Sequence, residues 1–209
     1  MKWISKIAFY RNIRNETPNK ELAKELADTD NIKGIKEISE YLFDKNKSVS
    51  SDSLSVLYTI GYSKPELIQE YIDDFLKLLE SKNNRMVWGS MIALSTIAYL
   101  KADFIFKRIE LILETMRKGT LITEVWGIKI LVSLSLKNRE YKSKLLPVLF
   151  DYLEKCRPID FATRVETIIP ALESSYEREI FDNIIQMKSP ELSNSQTKKL
   201  KTILNKNRK

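Results

Sequence analysis

The chain has 209 residues, with 35 Lys and Arg against 28 Asp and Glu, one Cys and no His, for a net charge of +7. With 43% hydrophobic residues and only 5 Gly, it is neither a disordered chain nor a disulfide scaffold nor a collagen-like repeat. The absence of imidazole excludes Ser-His and Cys-His nucleophiles, His-ligated zinc and His-ligated haem.

From the N-terminus, Met1-Lys2-Trp3-Ile4-Ser5-Lys6-Ile7 has basic residues but neither a long apolar core nor a small-residue cleavage site, so no signal peptide is expected. Apolar residues then recur at spacings of three and four, the helical period rather than strand alternation. Ile35, Ile38 and Leu42 form one stripe; Leu67, Ile68, Tyr71, Ile72, Phe75, Leu78 and Leu79 form a wider one. Start and stop signals divide the pattern. Thr17-Pro18 predicts an N-cap and a first helical residue. Ser63 with Glu66, and Ser174 with Glu177, fit capping boxes. Gly119-Thr120 predicts a helix end followed by the next cap, and Ser189-Pro190-Glu191 another start. The expected helices span 3–14, 18–28, 31–44, 48–61, 65–81, 84–100, 103–117, 121–136, 139–155, 160–173, 176–187 and 191–205. Short connections make neighbours antiparallel. No apolar run reaches the ~18 residues of a membrane span; the longest candidate, residues 86–100, is interrupted by Gly89, Ser90, Ser95 and Thr96. With a single cysteine, a cytoplasmic address is the default expectation.

A repeat underlies these helices. Val87-Trp88-Gly89 and Val125-Trp126-Gly127 lie 38 residues apart, and Ile92 and Ile130 share the offset. Leu54 and Ile168 extend it in both directions. A helix pair that recurs in this way cannot bury its own apolar face, whereas stacked pairs share a continuous core. On this period, on Pro147 inside the first helix of a pair, and on the size pattern of residues 86–94, the chain resembles HEAT-repeat proteins and, more loosely, armadillo-type ones across about residues 31–187. The Asp and Arg ladder of HEAT repeats is mostly missing: Asn83 and Val87 stand where Asp and Arg are expected. The resemblance implies an all-α fold, a right-handed α-α superhelix of HEAT-like helix pairs. It also implies a single domain over 1–209: N-terminal capping helices over 1–30, about four helix pairs over 31–187, and a basic C-terminal capping helix over 188–209.

Six residues are candidates for binding. Trp88 and Trp126 occupy equal repeat positions, with Arg164 in the third slot. They form either a ridge on the concave face that grips a partner or fillers of the gaps between repeats. Arg85, Lys129 and Arg164 are cations on otherwise apolar second helices, so each faces solvent or is paired. Met91, Lys129 and Thr167 share a register that suggests a variable, exposed line. The basic tail (Lys198, Lys199, Lys201, Lys206, Arg208 and Lys209) either attracts phosphate or supplies the polar outer face of a terminal repeat. No catalytic constellation is found. Asp73 and Asp74 are adjacent on a helix and point about 100° apart, and Cys156 has no imidazole base. Neither cofactor nor metal is implied.

The expectation is therefore a non-enzymatic interaction module that binds a protein partner on its concave face through Arg85, Trp88, Met91, Trp126, Lys129 and Arg164. The alternative is a nucleic-acid-binding protein, since some bacterial alkylpurine DNA glycosylases resemble this architecture, with a cationic groove and concave tryptophans. No motif transfers a catalytic residue from them.

Overall fold

The computed structural model describes residues 2–207. Met1, the first residue of the segment read for a signal peptide, and Arg208 and Lys209, the last cations of the basic tail, lie outside the described residues. Among the described residues there are twelve α-helices and no strand, and no helix is long and apolar enough to cross a membrane. The chain forms two compact units, Met1–Gly127 and Ile128–Lys209.

The first unit contains α1 (Thr17–Asp28), α2 (Ile32–Ser39), α3 (Lys47–Gly61), α4 (Ile72–Leu78), α5 (Asn84–Ile97), α6 (Ala102–Phe106) and α7 (Ile109–Lys118). The boundary falls inside α8 (Leu121–Ser135). The second unit continues with α9 (Arg139–Lys155), α10 (Pro158–Ile168), α11 (Ser175–Lys188) and α12 (Asn194–Asn207).

Four helices begin on the same device. The side-chain oxygens of Asn31, Asn46, Asn83 and Asn138 accept the amides of Gly34, Ser48, Arg85 and Tyr141 at 2.8, 3.0, 3.0 and 2.9 Å. Each satisfies a donor that the first helical turn leaves without a partner. Asn83, which departs from the HEAT ladder, is thus the cap of α5. At α11 the expected capping box is complete: Ser174 Oγ accepts from the Glu177 amide, and the Glu177 carboxylate accepts from the Ser174 amide.

In the first unit α3 packs between α1 and α5, burying Leu22, Leu26, Leu54, Leu57, Ile60, Met91 and Leu94. Phe75 on α4 is fully enclosed. In the second unit α10 packs against α9 and α12, around Leu149, Leu153, Phe161, Ile168, Leu200 and Ile203.

Several expected helices are shorter or broken. The first is only a 3-10 turn over Trp3–Lys6. Beyond it, the amides of Ala8 and Phe9 go to Asn19 Oδ1 and Asp52 Oδ2, both at 2.8 Å, instead of into a helical ladder, and Asn12 turns the chain at φ 56°. The expected helix 65–81 is two 3-10 turns followed by α4. No box forms at its start, because Ser63 Oγ donates back to the Ile60 carbonyl and Pro65 leaves a tight turn. Residues 103–117 split into α6 and α7 at Lys107–Arg108, where Arg108 leaves the helical region at φ −114° and ψ 18°. At α1, Thr17 is already helical and Glu16 takes the capping position without a side-chain bond. Ser189–Glu191 is a 3-10 turn, and the final helix begins at Asn194.

Candidate interaction site

The repeated Val-Trp-Gly tripeptide has a packing origin. A methyl at Gly89 would lie 2.7 Å from Leu54 Cδ2 on α3, and one at Gly127 would overlap the Met116 side chain on α7. Each glycine therefore marks the closest approach of its helix to a neighbour. The tryptophan one position earlier is rotated by about 100°, and Trp88 and Trp126 are both half-buried.

Around Trp126 the first unit assembles an aromatic row. Tyr58 and Tyr62, one turn apart at the end of α3, meet edge to face with ring centroids 6.2 Å apart. Tyr62 lies 6.0 Å from Trp126 at a tilt of 44°. The row passes from inside to outside, with Tyr58 8% exposed and Tyr62 55%. The Tyr58 hydroxyl accepts from Ser55 Oγ at 3.1 Å. Burial pushes the Tyr62 phenol up to about 12, with Tyr58 and the charge of Glu16 acting in the same direction. The phenol is thus a neutral hydrogen-bonding group at any physiological pH.

A charged cluster stands nearby. Arg85 at the start of α5 pairs with Glu16 at 3.4 Å, both partly exposed. Arg85, Glu16, Arg14, Asn12, Phe9 and Asp52 line a cavity of about 390 Å³. Asp52 is 8% exposed and holds the Phe9 amide. Glu16 raises the Tyr62 phenol and, with burial the larger cause, that of Tyr58, which Arg85 opposes. Glu16 thus lies within electrostatic reach of both phenols in the first unit.

Of the six sequence candidates, Arg85, Trp88 and Trp126 lie on the first unit with part of their surface open. Met91 does not fit the expected exposed line: it is fully buried, because α5 is apolar around most of its circumference and its Met91 side is enclosed. Lys129 and Arg164 belong to the second unit. Lys129 is exposed, and burial of its stem holds its ammonium below the usual lysine value. Arg164, expected in the third repeat slot either to face solvent or to find a partner, is 5% exposed; its Nη1 donates to the Tyr152 carbonyl at 3.2 Å, tying α10 to α9. Tyr62, Tyr58, Glu16 and Asp52 were not candidates. The Tyr-x-x-x-Tyr spacing was the available signal for the first two, whereas Glu16 meets Arg85 from 69 positions away.

The second unit carries a cavity of about 730 Å³ between α9 and α11. At one end the Lys142 ammonium, 6% exposed as a residue, lies 2.7 Å from Glu173 Oε2 and 4.0 Å from Glu177 Oε2. Burial pushes the Glu177 carboxyl up, but the amides of Ser174 and Glu173 and the Lys142 charge outweigh it, and the group is held below the ordinary carboxylate value. A depressed folded pKa gives stability that is present above the unfolded value of about 4.3 and lost as pH falls through the folded one. The urea midpoint is expected to fall on acidification below that value. Glu177→Gln, which can keep the cap but does not titrate, should make the fall shallower in denaturant curves taken at a series of pH values.

No protein-family model matches the chain, and no curated protein does. Solved structures do. An engineered protein is similar over 100% of this chain and 97% of its own, with a TM-score of 0.63 and 14% identity. A designed armadillo repeat protein in complex with the peptide (KR)4 is similar over 89% of this chain and 85% of its own, with a TM-score of 0.65 and 12% identity. A second engineered protein is similar over 99% of this chain and 58% of its own, with a TM-score of 0.58 and 15% identity. At these identities the likeness is one of fold: all-α and helical-repeat, as the HEAT and armadillo resemblance implied.

Proposed function

We propose that this chain, an armadillo-like helical repeat in fold, is a non-enzymatic module that binds a protein partner on the aromatic face of its first unit. The observation that carries the proposal is the Tyr62–Trp126 pair, an exposed tyrosine against a half-buried tryptophan, in the same unit as the partly exposed Arg85–Glu16 ion pair. Tyrosine, tryptophan and arginine are the residues in which interface energy concentrates. Here they rest on packed helices and need little ordering on binding. Trp88, half-buried on α5, is proposed as a further contact residue. That a designed armadillo repeat protein holds a peptide supports the choice of partner class. A cytoplasmic setting fits a single, buried cysteine.

A specific observation favours nucleic acid as a second reading. From residue 192 onward the chain contains no carboxylate side chain, and Lys198, Lys199, Lys201 and Lys206 are all exposed on α12.

The test compares wild type with a Tyr62→Ala/Trp126→Ala variant by affinity capture and mass spectrometry, followed by titration of the captured partner. The double variant is expected to weaken binding by roughly 100-fold or more, the size of two interface hot spots. Full retention of every partner would overturn the assignment. A parallel titration with labelled duplex DNA checks the second reading. If α12 contacts three or four phosphates, log K should fall with log salt at a slope of roughly −3 to −4, and charge reversal at the four lysines should abolish binding.

A further inference from the structure

We propose that the groove between α9 and α11 binds the C-terminal end of a partner polypeptide, with an apolar last side chain on its floor and the terminal carboxylate on Lys142 and Arg139. This site lies wholly in the second unit and does not depend on the aromatic face.

The groove has the size and the lining for such an end. Its volume of about 730 Å³ lies within the range of ligand pockets. Leu146 and Phe150, both 7% exposed, and Ile180 form an apolar floor, with Tyr176 at the side.

The charges are arranged as if one place were lent out. Glu177 is fixed, because its carboxylate accepts the amides of Glu173 and Ser174 at 2.7 and 2.9 Å and cannot leave without undoing the start of α11. Glu173 is different. Its side chain is 64% exposed, and its carboxylate reaches inward to the buried Lys142 ammonium at 2.7 Å. An exposed side chain that pairs in charge with a buried cation can be exchanged for another carboxylate with no loss of charge pairing. Arg139 adds a second cation at the mouth. It is the first residue of α9, where the helix dipole disfavours positive charge. The neighbouring carboxylate, Glu140, is already taken by Lys144 at 2.9 Å. Once Glu173 swings away, two cations face one fixed carboxylate, an excess of one positive charge that a single incoming carboxylate balances.

Pro147 supplies the third element. It is exposed in the interior of α9 and has no N–H, so the Ser143 carbonyl lacks the donor one turn on. Both residues line the groove. In the proposed complex that carbonyl takes the N–H of the peptide's last residue, whose carboxylate reaches Lys142. A fatty acid would offer the carboxylate and the apolar tail without the donor.

The test uses the full chain and fluorescence anisotropy with short labelled peptides ending in Leu or Phe, as free acids and as amides. The free acids are expected to bind, and amidation to weaken them about tenfold or more, the size of a charge-assisted hydrogen bond. Lys142→Met, which preserves the buried volume, should abolish the preference for the acid, and Arg139→Ala should weaken the acid severalfold. The deciding variant is Glu173→Gln, on an exposed side chain that leaves the fold intact. It should tighten free-acid binding severalfold, because the competitor for Lys142 has lost its charge. Equal binding of acid and amide, no binding of either at millimolar concentration, or weaker or unchanged binding to Glu173→Gln would each overturn the proposal. So would octanoate binding as tightly as the peptide.

Discussion

Phe75→Ala is expected to lower the free energy of unfolding by about 3–5 kcal/mol, the largest loss from a single truncation in the first unit. Phe75 is fully enclosed and belongs to α4, a helix of only 7 residues. A helix this short has no stability of its own in water and exists because its apolar side is held. Ile72, Leu76 and Leu78 are its other buried residues, and none has the bulk of a phenyl ring. Truncation leaves a cavity between α4 and α5, which pack together, and the two 3-10 turns before α4 offer little regular structure to close it. Asp73→Ala on the exposed side of the same helix is the control and should stay within about 0.5 kcal/mol. Urea unfolding monitored by circular dichroism measures both.

Pro147→Ala is expected to act in the opposite direction, raising stability by about 1–3 kcal/mol. The proline is exposed and lies in the middle of α9, so alanine meets no steric obstacle and restores one backbone hydrogen bond to the Ser143 carbonyl. The same change removes the acceptor that the groove offers to a peptide N–H. The variant should therefore melt higher while binding free-acid peptides less tightly. Thermal melts and the anisotropy titration read the two effects separately.

The helices were legible where local chemistry decides them. The 3.6-residue period, the Ser174–Glu177 start and Pro147 are all local, and α8, α9 and α11 lie within a residue or two of their expected limits. The irregular N-terminal segment was not legible, because Ala8 and Phe9 surrender their amides to side chains 11 and 43 positions away. Trp88 and Trp126 stood out through the 38-residue offset. Met91 was misjudged as exposed, since a helix apolar on most sides gives no contrast between inner and outer faces. For Arg164 the sequence left solvent or a partner open, and the fold supplies the Tyr152 carbonyl as acceptor. The coupling of Glu16 with Arg85 and Tyr62 is created by the fold and leaves no mark at short range.

The helix starts carry one more consequence. Four of them rest on asparagine amides, which hold no proton to gain. At α11 the clasp is a carboxylate, shared between two backbone amides and a buried ammonium. Acidification therefore strikes unevenly. The start of α11 slackens only when the pH falls through the lowered value of Glu177, whereas the asparagine caps are indifferent to pH.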